Sequence, residues 1–297
     1  MAQELKTYLT ERCKIVDKAL GKFLPTARTR PATIHDAMRY SVFAGGKRLR
    51  PILSLAAAEA CGGDYENALA PASAVECIHT YSLIHDDLPC MDDDDLRRGM
   101  PTSHIKYSEG IAVLAGDALL TIAFEILAQT PPTRRYDVGA YVGELAVASG
   151  SRHLIGGQIL DLEGEGSDVK LTPAQLKYIH QSKTAALLTS SIRLGAMTAD
   201  ATPKKLEALT DYGQSLGLAF QIIDDILDVT QTSEKLGKSA GKDEATDKST
   251  YPALFGLEKS RKEAVRLTAK AHDALKPFGK KGERLREIVD YLLDRDY

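Results

Sequence analysis

Between Gln214 and Asp228 the chain carries carboxylates on a segment that is otherwise strongly apolar. Gln214, Gly217, Gln221, Asp224 and Asp228 recur at spacings of three, four, three and four, which makes one stripe along a straight α-helix. Leu216, Ala219, Ile222, Ile223, Ile226 and Leu227 cover much of the rest. A helix apolar over most of its surface is buried, so the stripe is expected to line an enclosed cavity. Buried carboxylates four apart need cations. Most other long segments share the 3.6-residue periodicity, and alternating strand patterns are scarce. The breaks are short, as at Pro25–Pro31, Gly45-Gly46, Gly62-Gly63 and Pro131-Pro132. Thr172-Pro173 reads as an N-cap followed by proline in the first turn. The expectation is an all-α bundle of ten or more helices forming a single domain over residues 1–297.

A second acidic run lies earlier. Asp86, Asp87 and Asp92 to Asp95 follow an apolar helical stretch, and Arg97 and Arg98 come directly after. Such a run is either solvated surface or a site for a hard cation that shares substrate phosphates. Arginines are natural partners for those phosphates. Pro89 ends or kinks the helix, and a loop there can bring Asp86 and Asp92 together. Upstream, Glu76, His79, Ser82 and Asp86 make a polar stripe flanked by Val75, Ile78, Leu83 and Ile84. His79 is either a satisfied core histidine or a ligand contact.

Four further blocks are chemically suggestive. Gly45-Gly46-Lys47-Arg48-Leu49-Arg50-Pro51 reads as an anion clamp or as a basic helix-end cap. Gly156-Gly157-Gln158 with Asp161 fits close backbone packing or a polar cavity wall. Lys183-Thr184 lies mid-helix among small and apolar residues, where a lysine either meets an internal anion or snorkels outward. The Gly- and Lys-rich stretch with Lys238, Lys242 and Lys248 follows the acidic helix.

Composition removes several classes. A net charge of −3, no Trp and 6% aromatics give no footing for nucleic acid. Four scattered cysteines, Cys13, Cys61, Cys77 and Cys90, form no C-x-x-C pair and suit a reduced, cytoplasmic protein. The N-terminal residues have no apolar signal core. Asp117 and Glu125 interrupt the most apolar stretch, Ile111–Ala128, so no membrane span is expected.

Two Asp-Asp-x(2–4)-Asp motifs, joined in order by the glycine–lysine–arginine block, Gly156-Gly157-Gln158, Lys183-Thr184 and the lysine-rich stretch, resemble the trans-prenyltransferases, the short-chain polyprenyl diphosphate synthases. The resemblance covers almost the whole chain. It implies helices around a deep central cavity and a homodimer. It implies that Asp86 and Asp92 hold two Mg²⁺ and Asp224 a third, with Mn²⁺ able to substitute, and that Asp87, Asp225 and Asp228 support them. An allylic diphosphate would meet Arg97, Lys183, Lys238 and Lys248. Isopentenyl diphosphate would meet Lys47, Arg50 and Arg98, with His79 nearby. Thr184 and Gln221 would face the allylic cation. Tyr81 and Ser82, just before the first motif, would set chain length. A bulky Tyr81 and the insertion Leu88-Pro89-Cys90-Met91 resemble bacterial farnesyl diphosphate synthases, with a geranylgeranyl product as the alternative. Rival readings are weaker. A non-catalytic subunit would have lost aspartates from one motif, and a terpene cyclase would lack the Lys47/Arg50 site.

Overall fold

The computed structural model describes residues 2–164, 171–230 and 250–293. These are overwhelmingly helical, as the periodicity requires. In chain order they form α1 (Ala2–Phe23), α2 (Ala32–Val42), α3 (Leu49–Cys61), α4 (Leu69–Asp86), the short α5 (Ser103–Lys106), α6 (Glu109–Leu127), α7 (Val138–Ser149), α8 (Leu154–Gly164), α9 (Pro173–Ile179), α10 (Ala186–Thr198) and α11 (Pro203–Thr230). After the undescribed stretch come α12 (Tyr251–Phe255), α13 (Leu257–Ala274) and α14 (Glu283–Leu293).

Local signals set several ends. Gly62 closes α3 with φ 90°, where a Cβ would be strained. Thr172 and Gln175 form a reciprocal capping box on α9. α4 is buried along most of its length and packs against α1, α2, α3, α6 and α10. α11 packs against α10 and α13. α10 contacts both α4 and α11, the helices that carry the two acidic motifs. α6 is long and apolar enough to cross a membrane by length and composition alone. Its Ala112, Ala115, Leu119, Ala123 and Ile126, however, are buried in the core that includes α4.

Two local features depart from the expected pattern. Leu96–Arg97 pairs with Met100–Pro101 as a minimal antiparallel ladder. Its two-residue turn, Arg98-Gly99, has φ 55° and 77°, as a type I′ hairpin requires. The segment His180–Ala185 is a π-helical turn joining α9 to α10, not continuous α-helix. Single π-turns of this kind concentrate at functional sites.

Candidate active site

The basic block forms a preformed pocket. Gly45 and Gly46 have φ 90° and 122°, and Arg48, the residue before α3, sits at φ 48°. The left-handed backbone of Arg48 costs on the order of 1 kcal/mol. It sends the side chain inward, where 4% of the residue remains exposed. There Nη1 donates to Glu76 at 2.8 Å, Nε to Asp17 at 2.8 Å and Nη2 to the Val42 carbonyl at 2.6 Å. This internal anchor leaves Lys47 and Arg50 to line a cavity of about 620 Å³ with Gly46, His79, Arg98 and Asp224. Arg50 Nη1 lies 3.3 Å from His79 Nε2. The I′ hairpin presents Arg98, which donates to the Gly45 carbonyl. Burial, then Arg50, Arg98, Arg97 and Arg48, hold His79 well below the ordinary histidine range, so the imidazole is neutral at pH 7.

The acidic rim is built differently. Asp86 is the last residue of α4, and the Asp92 N–H donates to its carbonyl at 2.8 Å, folding the loop back on itself. Burial pushes the Asp86 carboxyl up to about 6; Lys183 and Arg97 oppose the rise, and Asp92 and Asp87 add to it. Arg97 Nε donates to both oxygens of Asp87 at 2.7 and 2.9 Å, and Arg97 reaches Asp94 at 3.6 Å. Asp93 and Asp95 are exposed.

Opposite, the π-turn supplies Lys183 and Thr184. Lys183 Nζ pairs with Asp161 of α8 at 2.6 Å. A Cβ on Gly157 would stand 2.5 Å from the Lys183 nitrogen, so that glycine lets α8 and the π-turn touch. Of the two readings of Gly156-Gly157-Gln158 with Asp161, close packing is right for Gly157, and Asp161 adds a charge partner. Thr184 Oγ1 donates to Gln221 Oε1 at 2.8 Å. On α11, Asp225 and Asp228 are buried, and Asp228 Oδ1 has no hydrogen-bond partner.

The α11 stripe needs a correction. Gln214 is exposed and lines a separate groove with Glu144, Ser182, Thr189 and Arg193, away from the Asp224 cavity. A Cβ on Gly217 would lie 2.5 Å from Ala185 Cα; the π-turn packs there and cuts the stripe in two. Gln221, Asp224, Asp225 and Asp228 lie beyond that break, and Asp224 lines the basic cavity. Of the chain-length pair, Tyr81 is buried with its hydroxyl unpartnered, edge-on to His85 at 5.7 Å. Ser82 donates back to the His79 carbonyl at 2.9 Å. Lys238 and Lys248 lie outside the described residues.

The donor set fits Mg²⁺. Among the described residues no three His, Cys, Asp or Glu side chains converge enough to hold a metal by themselves. Yet burial holds the Asp86 carboxyl back from ionising, against the pull of Lys183 and Arg97, and Asp228 Oδ1 is buried without a donor. Sparse carboxylates of this kind suit an ion that keeps waters and takes other ligands from substrate phosphates.

The polyprenyl synthetase family model matches residues 31–292. The chain belongs to the polyprenyl synthetase family. It is 50% identical over 98% of its length to the chloroplastic geranylgeranyl pyrophosphate synthase of Capsicum annuum, covering 79% of that protein. It is 48% identical to the geranylgeranyl diphosphate synthase of Cyanophora paradoxa, over 98% of this chain and 97% of the other. An FPP/GFPP synthase structure from Zymomonas mobilis superimposes with a TM-score of 0.86 at 38% identity, covering 99% of this chain and all of that one. The all-α isoprenoid synthase fold and short-chain prenyltransferase chemistry follow.

Within this polyprenyl synthetase, sequence reasoning passed over Arg48 and His180. Arg48 sits in the sequence between Lys47 and Arg50, and nothing local marks it as buried. Its burial depends on Asp17 and Glu76, which are 31 and 28 residues away. His180 Nε2 lies 3.5 Å from Asp225 Oδ2. Its position seven residues after Pro173 gave no signal of that pairing.

Proposed function

We propose that the chain condenses isopentenyl diphosphate head to tail (1′-4) with dimethylallyl, geranyl and farnesyl diphosphates, releasing geranylgeranyl diphosphate. The observation that carries this reading is the adjacency of two unlike sites. A cation-lined pocket with a neutral histidine meets an electron-rich carboxylate rim, and Asp224 lines the pocket itself.

Asp86, Asp92 and Asp224 would hold Mg²⁺, three ions per site, on the allylic diphosphate. When bound, the ions neutralise that diphosphate and make it a better leaving group. Lys183 and Arg97 add fixed positive charge as the C–O bond breaks, because the leaving diphosphate gains charge in the transition state. In this scheme Lys183 exchanges Asp161 for phosphate, and Arg97 keeps its fork on Asp87. Oxygens of Thr184 and Gln221 stabilise the allylic cation without attacking it. The helical walls keep water from quenching it. Lys47, Arg50 and Arg98 hold isopentenyl diphosphate so that its double bond meets the cation. The proton then lost passes to the released diphosphate.

The C20 product is supported by the relatives named as geranylgeranyl synthases. Buried Tyr81, beneath Asp86, favours the shorter farnesyl product instead. Tyr81→Ala is expected to lengthen the product by at least one five-carbon unit; an unchanged product profile removes Tyr81 from control of length. The chain is proposed to act as one domain and as a homodimer. Exposed Ile105, Val113, Leu114, Val147, Ile155 and Ile159 on consecutive helices α5 to α8 support the second point. The free cysteines suit a reducing compartment such as the cytoplasm. The deciding experiment supplies Mg²⁺, dimethylallyl and isopentenyl diphosphates and chromatographs the products. Turnover to C20 supports the proposal, a C15 end product replaces it with the farnesyl reading, and no consumption of isopentenyl diphosphate overturns both.

A further inference from the structure

Asp225 stands beside Asp224 but is engaged in a different way. Its residue is 6% exposed. Oδ1 accepts from Gln221 Nε2 at 3.4 Å. Oδ2 accepts the Tyr251 backbone N–H at 2.8 Å and faces His180 Nε2 at 3.5 Å. The His180 ring stacks on Tyr251 with centroids 6.3 Å apart. Asp225 thus ties α11 to the start of α12 and to the π-turn.

These contacts fix a direction. A carboxylate accepts hydrogen bonds and has none to give. Gln221 must therefore turn its NH₂ toward Asp225 and its carbonyl toward Thr184. The Thr184 hydroxyl must then donate to that carbonyl, as the 2.8 Å contact requires. With its proton committed, Thr184 Oγ1 offers only lone pairs to any further neighbour. The reversed amide would place an N–H against Thr184 and free the hydroxyl proton to face the substrate. Oxygen dipoles aimed beforehand stabilise a cation; N–H and O–H dipoles oppose it.

We propose that Asp225 is a positioning residue of the allylic site. It polarises the Gln221–Thr184 chain so that the pair presents oxygen, not hydrogen, to the carbon that ionises. This role rests on the ionisation chemistry proposed above. It separates the two neighbouring aspartates: Asp224 belongs to the cavity, and Asp225 acts through Gln221.

Asp225→Asn tests the idea, because the isosteric amide can donate as well as accept and so releases the direction of the chain. Outer partners that orient an active group are worth roughly 10–100-fold. The expected result is a kcat lowered by that factor, with the KM for isopentenyl diphosphate and the Mg²⁺ concentration for half-activation unchanged. In a Thr184→Val background the chain has already lost its end, so adding Asp225→Asn should cost little more. An unchanged kcat overturns the proposal. So does a full loss that persists in Thr184→Val, or a raised Mg²⁺ requirement, which would make Asp225 a ligand. If Asp225→Asn melts early, Asp225→Glu carries the same cycle: acceptor-only, it should keep more kcat than Thr184→Val and show the same unchanged Mg²⁺ requirement. Wild-type protein that consumes no isopentenyl diphosphate removes the reaction itself; wild-type turnover with an indifferent Asp225→Asn removes only this role.

Discussion

The basic pocket and the acidic rim are joined through consecutive arginines, Arg98 in the pocket and Arg97 on Asp87, yet they are assembled on opposite principles. The pocket is held by the chain itself. A buried ion pair, Arg48–Glu76, braces it from behind, and Arg98 is docked on the Gly45 carbonyl. The rim is only partly compensated. Arg97 satisfies Asp87 and Lys183 satisfies Asp161, but Asp86 is pushed up to about 6 by burial and Asp228 keeps an orphaned oxygen. One side holds its cations in place with the chain's own contacts; the other leaves carboxylates only partly compensated.

That contrast predicts different kinetic consequences on the two sides. Asp86→Asn should lower kcat by roughly 10²–10³-fold, the scale of losing one fixed stabiliser of transition-state charge. The fold should hold, because the substitution relieves a half-buried carboxylate whose ionisation burial already opposes. Arg50→Met should chiefly raise the KM for isopentenyl diphosphate, because a cation felt equally in ground and transition states changes binding more than rate. Steady-state kinetics in both substrates distinguishes them. If Asp86→Asn altered only KM, or Arg50→Met only kcat, the division of labour between rim and pocket would be wrong.

The bracing of the pocket predicts a stability effect next in size. In the Arg48–Glu76 pair the side chains are 2% and 3% exposed. Glu76→Ala leaves a buried guanidinium with only the more exposed Asp17 as charge partner. Breaking such pairs costs about 3–5 kcal/mol, and the lower end is expected because Asp17 and the Val42 carbonyl remain. Thermal or denaturant unfolding measures the loss. A Glu76→Ala protein as stable as the parent would show that Arg48 reaches water and that the pocket is not internally braced.

The same contrast explains what the sequence made legible. Helices, the N-cap at Thr172, the end of α4 before Pro89 and the loop that folds Asp92 back to Asp86 all follow from local periodicity or nearby residues. Lys47, Arg50, His79 and Arg98 were expected together and line one cavity. What escaped depends on distant partners. The inward turn of Arg48 needs Asp17 and Glu76. The π-turn at His180–Ala185 is packed against Gly157 and Gly217, far off in sequence. Once Ala185 occupies the space beside Gly217, Gln214 can no longer share a cavity with Asp224, although helical spacing alone aligns them. The I′ turn that aims Arg98 was hidden because a two-residue ladder leaves no alternating pattern to read.

The finest probe of the basic pocket is its histidine. His79 is held well below the usual range first by burial and then by Arg50, Arg98, Arg97 and Arg48. Its folded pKa is therefore lower than its unfolded one, near 6.5. The stabilisation from a neutral His79 is complete above about pH 6.5 and is lost as pH falls below it, because only the unfolded chain then takes up the proton readily. A bound diphosphate reverses the local sign: negative charge among the arginines favours the imidazolium. Binding of inorganic diphosphate in mildly acidic buffer should therefore draw more proton onto the parent than onto a protein without the imidazole. Calorimetry in buffers of different ionisation enthalpy measures that uptake, and His79→Gln should reduce it with only a modest change in affinity. Equal uptake by the parent and His79→Gln would mean that the bound anion does not protonate His79.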